Sequence, residues 1–114
     1  MNWNAITELE QLNLIDEESK TKKVFIFKHS TTCSISNAAL NRLERKWLDS
    51  DASLVKPFYL DLLNHRNISN AIAEKYKVTH ESPQVLVIEN ANCTFNCSHF
   101  DISYDALIQE VKAE

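Results

Sequence analysis

No glycine occurs among the 114 residues, where an average composition would supply roughly eight. Every turn that needs a positive φ must then use Asn or Asp, the next most tolerant residues. Proline occurs twice and cysteine three times, an odd number that a reducing cytosol would keep as thiols. No apolar run approaches the ~20 residues of a membrane span, which excludes a membrane helix. The start, Met1-Asn2-Trp3-Asn4-Ala5, lacks a basic region followed by an apolar one, so no signal peptide is expected. A cytoplasmic location is the expectation. Positive charge is also scarce, with 12 Lys and Arg against 16 Asp and Glu and a net charge of −4. The short basic pieces at 20–23 and 42–46 are interleaved with acids, which argues against a nucleic-acid partner.

What is present suits one domain over residues 1–114: 44% apolar residues, no linker, no repeat and no biased tract. Leu9, Leu12 and Leu14 or Ile15 recur at helical spacing between Thr7 and Ser19. Val24-Phe25-Ile26-Phe27 is a short β-branched and aromatic run, which predicts a buried strand, with His29 to Thr32 as a polar stretch after it. A helix follows through Ile35, Ala38, Ala39, Leu43 and Trp47 to about Leu48, then a strand within 54–62, then a helix through Ile68, Ile72 and Tyr76. Gln84 to Ile88 and Cys93 to Phe100, separated by Glu89-Asn90-Ala91-Asn92, read as a hairpin in which Asn90 or Asn92 takes a positive φ. A last helix begins at Ser103. Strands alternating with helices, then a hairpin and a closing helix, predict an α/β sandwich whose first strands are parallel and whose last pair is antiparallel.

Chemistry concentrates at Cys33. A strand, a polar loop, a cysteine and an amphipathic helix put Cys33 at or beside a helix N-cap. There the free amides of Ile35 and Ser36 and the positive end of the macrodipole favour thiolate. Thiolate is the form that attacks disulfides. A lone cysteine is commonly a small buried hydrophobe, but the neighbours Ser30, Thr31, Thr32, Ser34 and Ser36 are polar. Lys28 and His29 could add positive potential, depending on which way the strand points each. Ser36 occupies the place of a second cysteine in Cys-x-x-Cys. It cannot resolve a mixed disulfide, but its hydroxyl could donate to the thiolate one turn away, which favours a monothiol cycle. Pro83 should open a strand, because it offers no ladder donor. Frequency makes Ser82–Pro83 trans, whereas a cis bond would turn the Ser82 backbone outward toward an extended sulfur-bearing substrate.

The run Phe27-Lys28-His29-Ser30-Thr31-Thr32-Cys33-Ser34-Ile35-Ser36 closely resembles the signature of the monothiol bacilliredoxins, thioredoxin-like proteins of the bacillithiol redox system. His80-Glu81-Ser82-Pro83-Gln84 resembles that family's cis-proline segment, and Ser98-His99-Phe100-Asp101-Ile102 its segment before the last helix. The resemblance implies a thioredoxin-like three-layer sandwich with a central mixed sheet of about four strands. It implies removal of bacillithiol from S-thiolated client proteins, with Cys33 as nucleophile and Pro83 as the cis-proline. Thr32 and Ser36 would support the thiolate, while Ser82, Pro83 and His29 would hold substrate. Bacillithiol would be the low-molecular-weight thiol co-substrate, with no cofactor and no metal. Ser34 departs from members that carry proline after the cysteine, and proline there would stiffen the helix start.

Cys93, Cys97 and His99 have even separations and share one face if their strand is regular. Four residues of strand span about 13 Å, too far for Cys93 and Cys97 to share one zinc or form a disulfide without a break. They are therefore read as sheet residues, with resolution of Cys33 or linkage of two chains as a weaker hypothesis. His65, His80 and His99 read as surface or hydrogen-bonded, and Trp3 and Trp47 as packing residues. Two other functions stay open. One is a glutaredoxin-like monothiol protein using glutathione or an iron–sulfur cluster; the other is a non-catalytic thioredoxin-like interaction module whose Cys33 is inert.

Overall fold

The computed structural model describes residues 2–112. Five strands form one mixed sheet in the order β1-β3-β2-β4-β5: β1 (Asn4–Ala5), β2 (Lys23–His29), β3 (Val55–Asp61), β4 (Gln84–Glu89) and β5 (Asn92–Ser98). Four helices complete the chain: α1 (Gln11–Glu18), α2 (Ser34–Lys46), α3 (Arg66–Tyr76) and α4 (Tyr104–Lys112). The central strand β2 runs parallel to β3, with Lys23 opposite Val55 and His29 opposite Asp61. It runs antiparallel to β4, with Val24 opposite Ile88 and Lys28 opposite Gln84. The sandwich and its strand directions match the sequence reading. The fifth strand, β1, does not: it is two exposed residues pairing with Phe58 and Tyr59 of β3, too short to leave a periodic signal. No helix among the described residues is long and apolar enough to cross a membrane.

Strand alternation divides the core. Val24 and Ile26 point toward α1 and α3, where they meet Leu12, Ile15, Ile68 and Ile72. Phe25 and Phe27 point the other way, toward Ala39 and Leu43 of α2 and Leu107 of α4. Each such large side chain, wholly removed from water, contributes about 1.5–3 kcal/mol before chain entropy is counted. The alternation continues past the apolar run. β2 does not end at Phe27 but includes Lys28 and His29, both buried, so these two face opposite sides of the sheet.

Without glycine, positive φ falls on Lys77 (57°), Asn90 (51°), Ala91 (63°) and His99 (53°). Only Asn90 follows the expectation that Asn or Asp would serve. Lys77 terminates α3, its N–H bonding to Ala73 O. Asn90 and Ala91 form a two-residue hairpin loop, shorter than the four residues expected, and two positive φ values are what that turn type requires. Ser19 clamps it: the Asn90 N–H donates to Ser19 O at 2.9 Å and the Ala91 N–H to Ser19 Oγ at 2.8 Å. These tertiary bonds offset the roughly 1–2 kcal/mol that a left-handed non-glycine residue costs.

Candidate active site at the carboxyl end of the central strand

The chain leaves β2 at His29, turns through Ser30 to Thr32, and enters α2 at Ser34. Cys33 is the N-cap of α2, with extended backbone (φ −97°, ψ 123°). Its N–H donates to Ser30 O at 3.1 Å, and its carbonyl accepts the first helical bond from the Asn37 N–H at 3.0 Å. Cys33 is half-buried, and its sulfur makes no capping bond to the first-turn amides. Thr32 is exposed in the turn just before Cys33.

Ser36 is wholly buried beneath Cys33's helix start, and its hydroxyl faces the strand. Its Oγ lies 2.6 Å from His29 Nδ1 and accepts the Ser30 N–H at 3.0 Å. His29 is only 3% exposed, its ring edge-on to Phe27 and tilted against Tyr59. Its ring presents little surface outward, and its contacts run to Ser36 and the neighbouring aromatic rings. Burial holds its pKa below the ordinary value, against the opposing charges of Asp61 and Glu44.

Extending the β2–β4 register by one pair sets Pro83 opposite His29. Pro83 is buried, its peptide with Ser82 is cis, and its carbonyl accepts the His99 N–H at 3.0 Å. Ser82 Oγ is buried and has no hydrogen-bond partner among the described residues. A buried hydroxyl without a partner costs about 1–3 kcal/mol, and such exceptions call for an explanation, a functional role among them. The topology thus gathers Cys33, Ser36, His29, Ser82 and Pro83 at one end of two adjacent strands, with Thr32 in the connecting turn.

Three side chains that the sequence reading did not assign hold this loop from behind. Gln84 donates from Nε2 to Thr79 O at 3.1 Å. Lys28, 0% exposed, donates to Ser69 O at 3.2 Å and lies 3.3 Å from His80 Nδ1. Burial lowers the Lys28 pKa to about 8. The same parity that buries Val24 and Ile26 sends Lys28 away from Cys33. Glu81 accepts from Ser98 Oγ at 2.5 Å and lies 3.4 Å from His99 Nδ1, tying the loop to the end of β5.

The two other cysteines are elsewhere. β5 is not regular: Val87 pairs with Phe95 but Ile88 pairs with Cys93, so Thr94 is an extra residue. The bulge sends Cys93 to the α1/α3 side and Cys97 to the α2/α4 side. His99 has left the strand for a short 3-10 turn, His99–Asp101. The shared face expected for Cys93, Cys97 and His99 therefore does not exist. Burial raises the pKa of both thiols, that of Cys97 to about 11.

A solved thioredoxin-fold protein given an oxidoreductase assignment is 33% identical, with a TM-score of 0.79 over 92% of this chain and 89% of that one. The thioredoxin of Fasciola hepatica, 16% identical, superposes with a TM-score of 0.70 over 95% of each chain. Mitochondrial thioredoxin 3 of Saccharomyces cerevisiae, 21% identical, gives 0.66 over 96% of this chain and 93% of its own. These last two likenesses speak to the fold alone. The family described as "Monothiol bacilliredoxin BrxC" matches residues 4–107, nearly the whole chain and all of the site. A thioredoxin fold, with a cysteine at the N-cap position of the helix after the central strand, is thus joined to a sequence match: the chain belongs to the monothiol bacilliredoxin family.

Proposed function

We propose that this protein removes bacillithiol from S-thiolated client proteins by a monothiol cycle. Cys33 thiolate attacks the bacillithiol sulfur of a protein mixed disulfide. A Cys33–bacillithiol disulfide forms, the client S–S bond breaks, and its electron pair leaves on the client cysteine. A second thiolate then attacks the bound cap sulfur, and Cys33 leaves as thiolate.

The observation that carries this reading is the pairing of a half-buried N-cap Cys33 with Ser36 one turn later. A nucleophile is present, but the position that could resolve it internally holds an oxygen, so regeneration must come from another thiol. A half-buried thiol at a helix start can meet a mixed disulfide carried on the surface of a protein client. Ser82 and Pro83 would hold the client backbone. Phe100, 77% exposed and next to His99, would supply apolar contact beside them. Thr32 and the α2 amides would support the thiolate.

Incubation with bacillithiol-capped and glutathione-capped model proteins tests the reading. The bacillithiol cap should be lost in preference, and Cys33→Ser should abolish the loss. If neither cap is removed, or the variant stays fully active, the proposal fails.

A further inference from the structure

Ser36 Oγ has one proton to donate and two lone pairs. One lone pair takes the Ser30 N–H, and the second close partner is His29 Nδ1. They lie 2.6 Å apart, and which of the two donates depends on the ring's tautomer. With a neutral ring protonated at Nε2, Ser36 donates to Nδ1 and has no proton left for Cys33. With Nδ1 protonated, the ring becomes the donor, and the Ser36 O–H is free to turn toward the sulfur one helical turn away.

We propose that His29 is a positioning residue that decides where the Ser36 hydroxyl points. The neutral ring draws the proton away from Cys33, and the protonated ring returns it to Sγ. The proposal rests on Cys33 being the reactive thiol. The groups facing the ring are Asp61 and Tyr59 on β3 and Glu44 on α2, itself bonded by Trp3 Nε1. The two carboxylates favour the protonated ring, but burial outweighs them, so the neutral ring prevails at neutral pH. The device matters most when Cys33 is the leaving group. The incoming thiolate bonds to the cap sulfur, the Cys33–S bond breaks, and its electron pair stays on Sγ, where a hydroxyl donor stabilises it. The ring's proton comes from solvent and remains on the ring, so no oxidant or reductant beyond the two thiols is involved.

Two measurements test this without any capped substrate. Nitrogen NMR of the His29 ring should show the neutral form protonated at Nε2. The Cys33 alkylation rate against pH should carry a second step at the His29 midpoint found by NMR. Below that midpoint a donated hydrogen bond raises the thiolate population about tenfold. Reduced nucleophilicity leaves a gain in rate of about threefold. The step should vanish in His29→Asn, which keeps a polar atom near Nδ1 but does not titrate, and in Ser36→Ala. It should return in Ser36→Thr. A step that persists in Ser36→Ala would mean that the ring charge acts on Cys33 directly, which overturns the proposal, as would a neutral ring protonated at Nδ1. Should Ser36→Ala fail to fold by circular dichroism, the NMR tautomer and His29→Asn decide. Failure to remove caps, with the alkylation step intact, would overturn the cap-removal function and leave this one standing.

Discussion

Ala91 stands at φ 63° in a turn whose second central position most often holds glycine. Replacing it should relieve left-handed crowding without touching the Ser19 clamp, since that clamp uses the backbone N–H. Ala91→Gly should therefore raise stability by about 1 kcal/mol, read as a higher midpoint in urea unfolding at unchanged slope. Ser36 is the second residue whose identity has a sharp consequence. Under the proposed cycle, Ser36→Cys would supply the missing resolving sulfur. The variant should release bound cap by closing a disulfide between Cys33 and the introduced thiol, visible by mass spectrometry under non-reducing conditions. Absence of both the Cys33–cap adduct and the internal disulfide in that variant would count against the cycle.

At the scale of elements, β2 decides most of what the site is. Its alternation buries His29 toward Ser36 and Lys28 toward Ser69 and His80, so two adjacent basic residues serve opposite faces. Lys28 also makes stability depend on pH in a definite direction. Its folded pKa is about 8, against 10.5 when exposed. Between those values the unfolded chain binds more protons, so the Lys28 contribution to stability rises with pH across that window. Cys97 acts oppositely, because a thiol raised to about 11 loses its contribution as pH climbs from 9. Comparing Lys28→Met with the wild type isolates the lysine. The wild type should gain on the variant between about pH 8 and 10.5 in denaturant midpoints. A constant difference would show that Lys28 stays charged throughout.

Across the whole molecule, three thiols are given three environments by one sheet. Cys33 is half-buried at a helix start, Cys93 is packed toward α1 and α3, and Cys97 is buried toward α2 and α4. Native alkylation followed by peptide mapping should therefore label Cys33 first and Cys97 last, with Cys97 reached fully only on unfolding. Early labelling of Cys97 would contradict its burial. The opposite facing of Cys93 and Cys97 also predicts no disulfide between them in oxidised Cys33→Ser protein.

The local patterns were legible because they depend on neighbours in the chain. Helical spacing in 35–47, the apolar run at 24–27 and the polar turn before Cys33 fix a strand–loop–helix unit with a cysteine at the helix start, whatever surrounds it. The family signature lies in the same stretch. The rest depended on contacts between distant segments. β1 exists only because β3 offers its edge. Ala91 tolerates a positive φ because Ser19, 72 positions earlier, bonds its turn. The bulge at Thr94 moved Cys93 off the face of Cys97, and one inserted residue reverses every side chain beyond it. His29 reads in the sequence as a loop residue near substrate. Only the packed sheet makes it a buried partner of Ser36, because strand parity, and not proximity in sequence, sets the direction of a side chain.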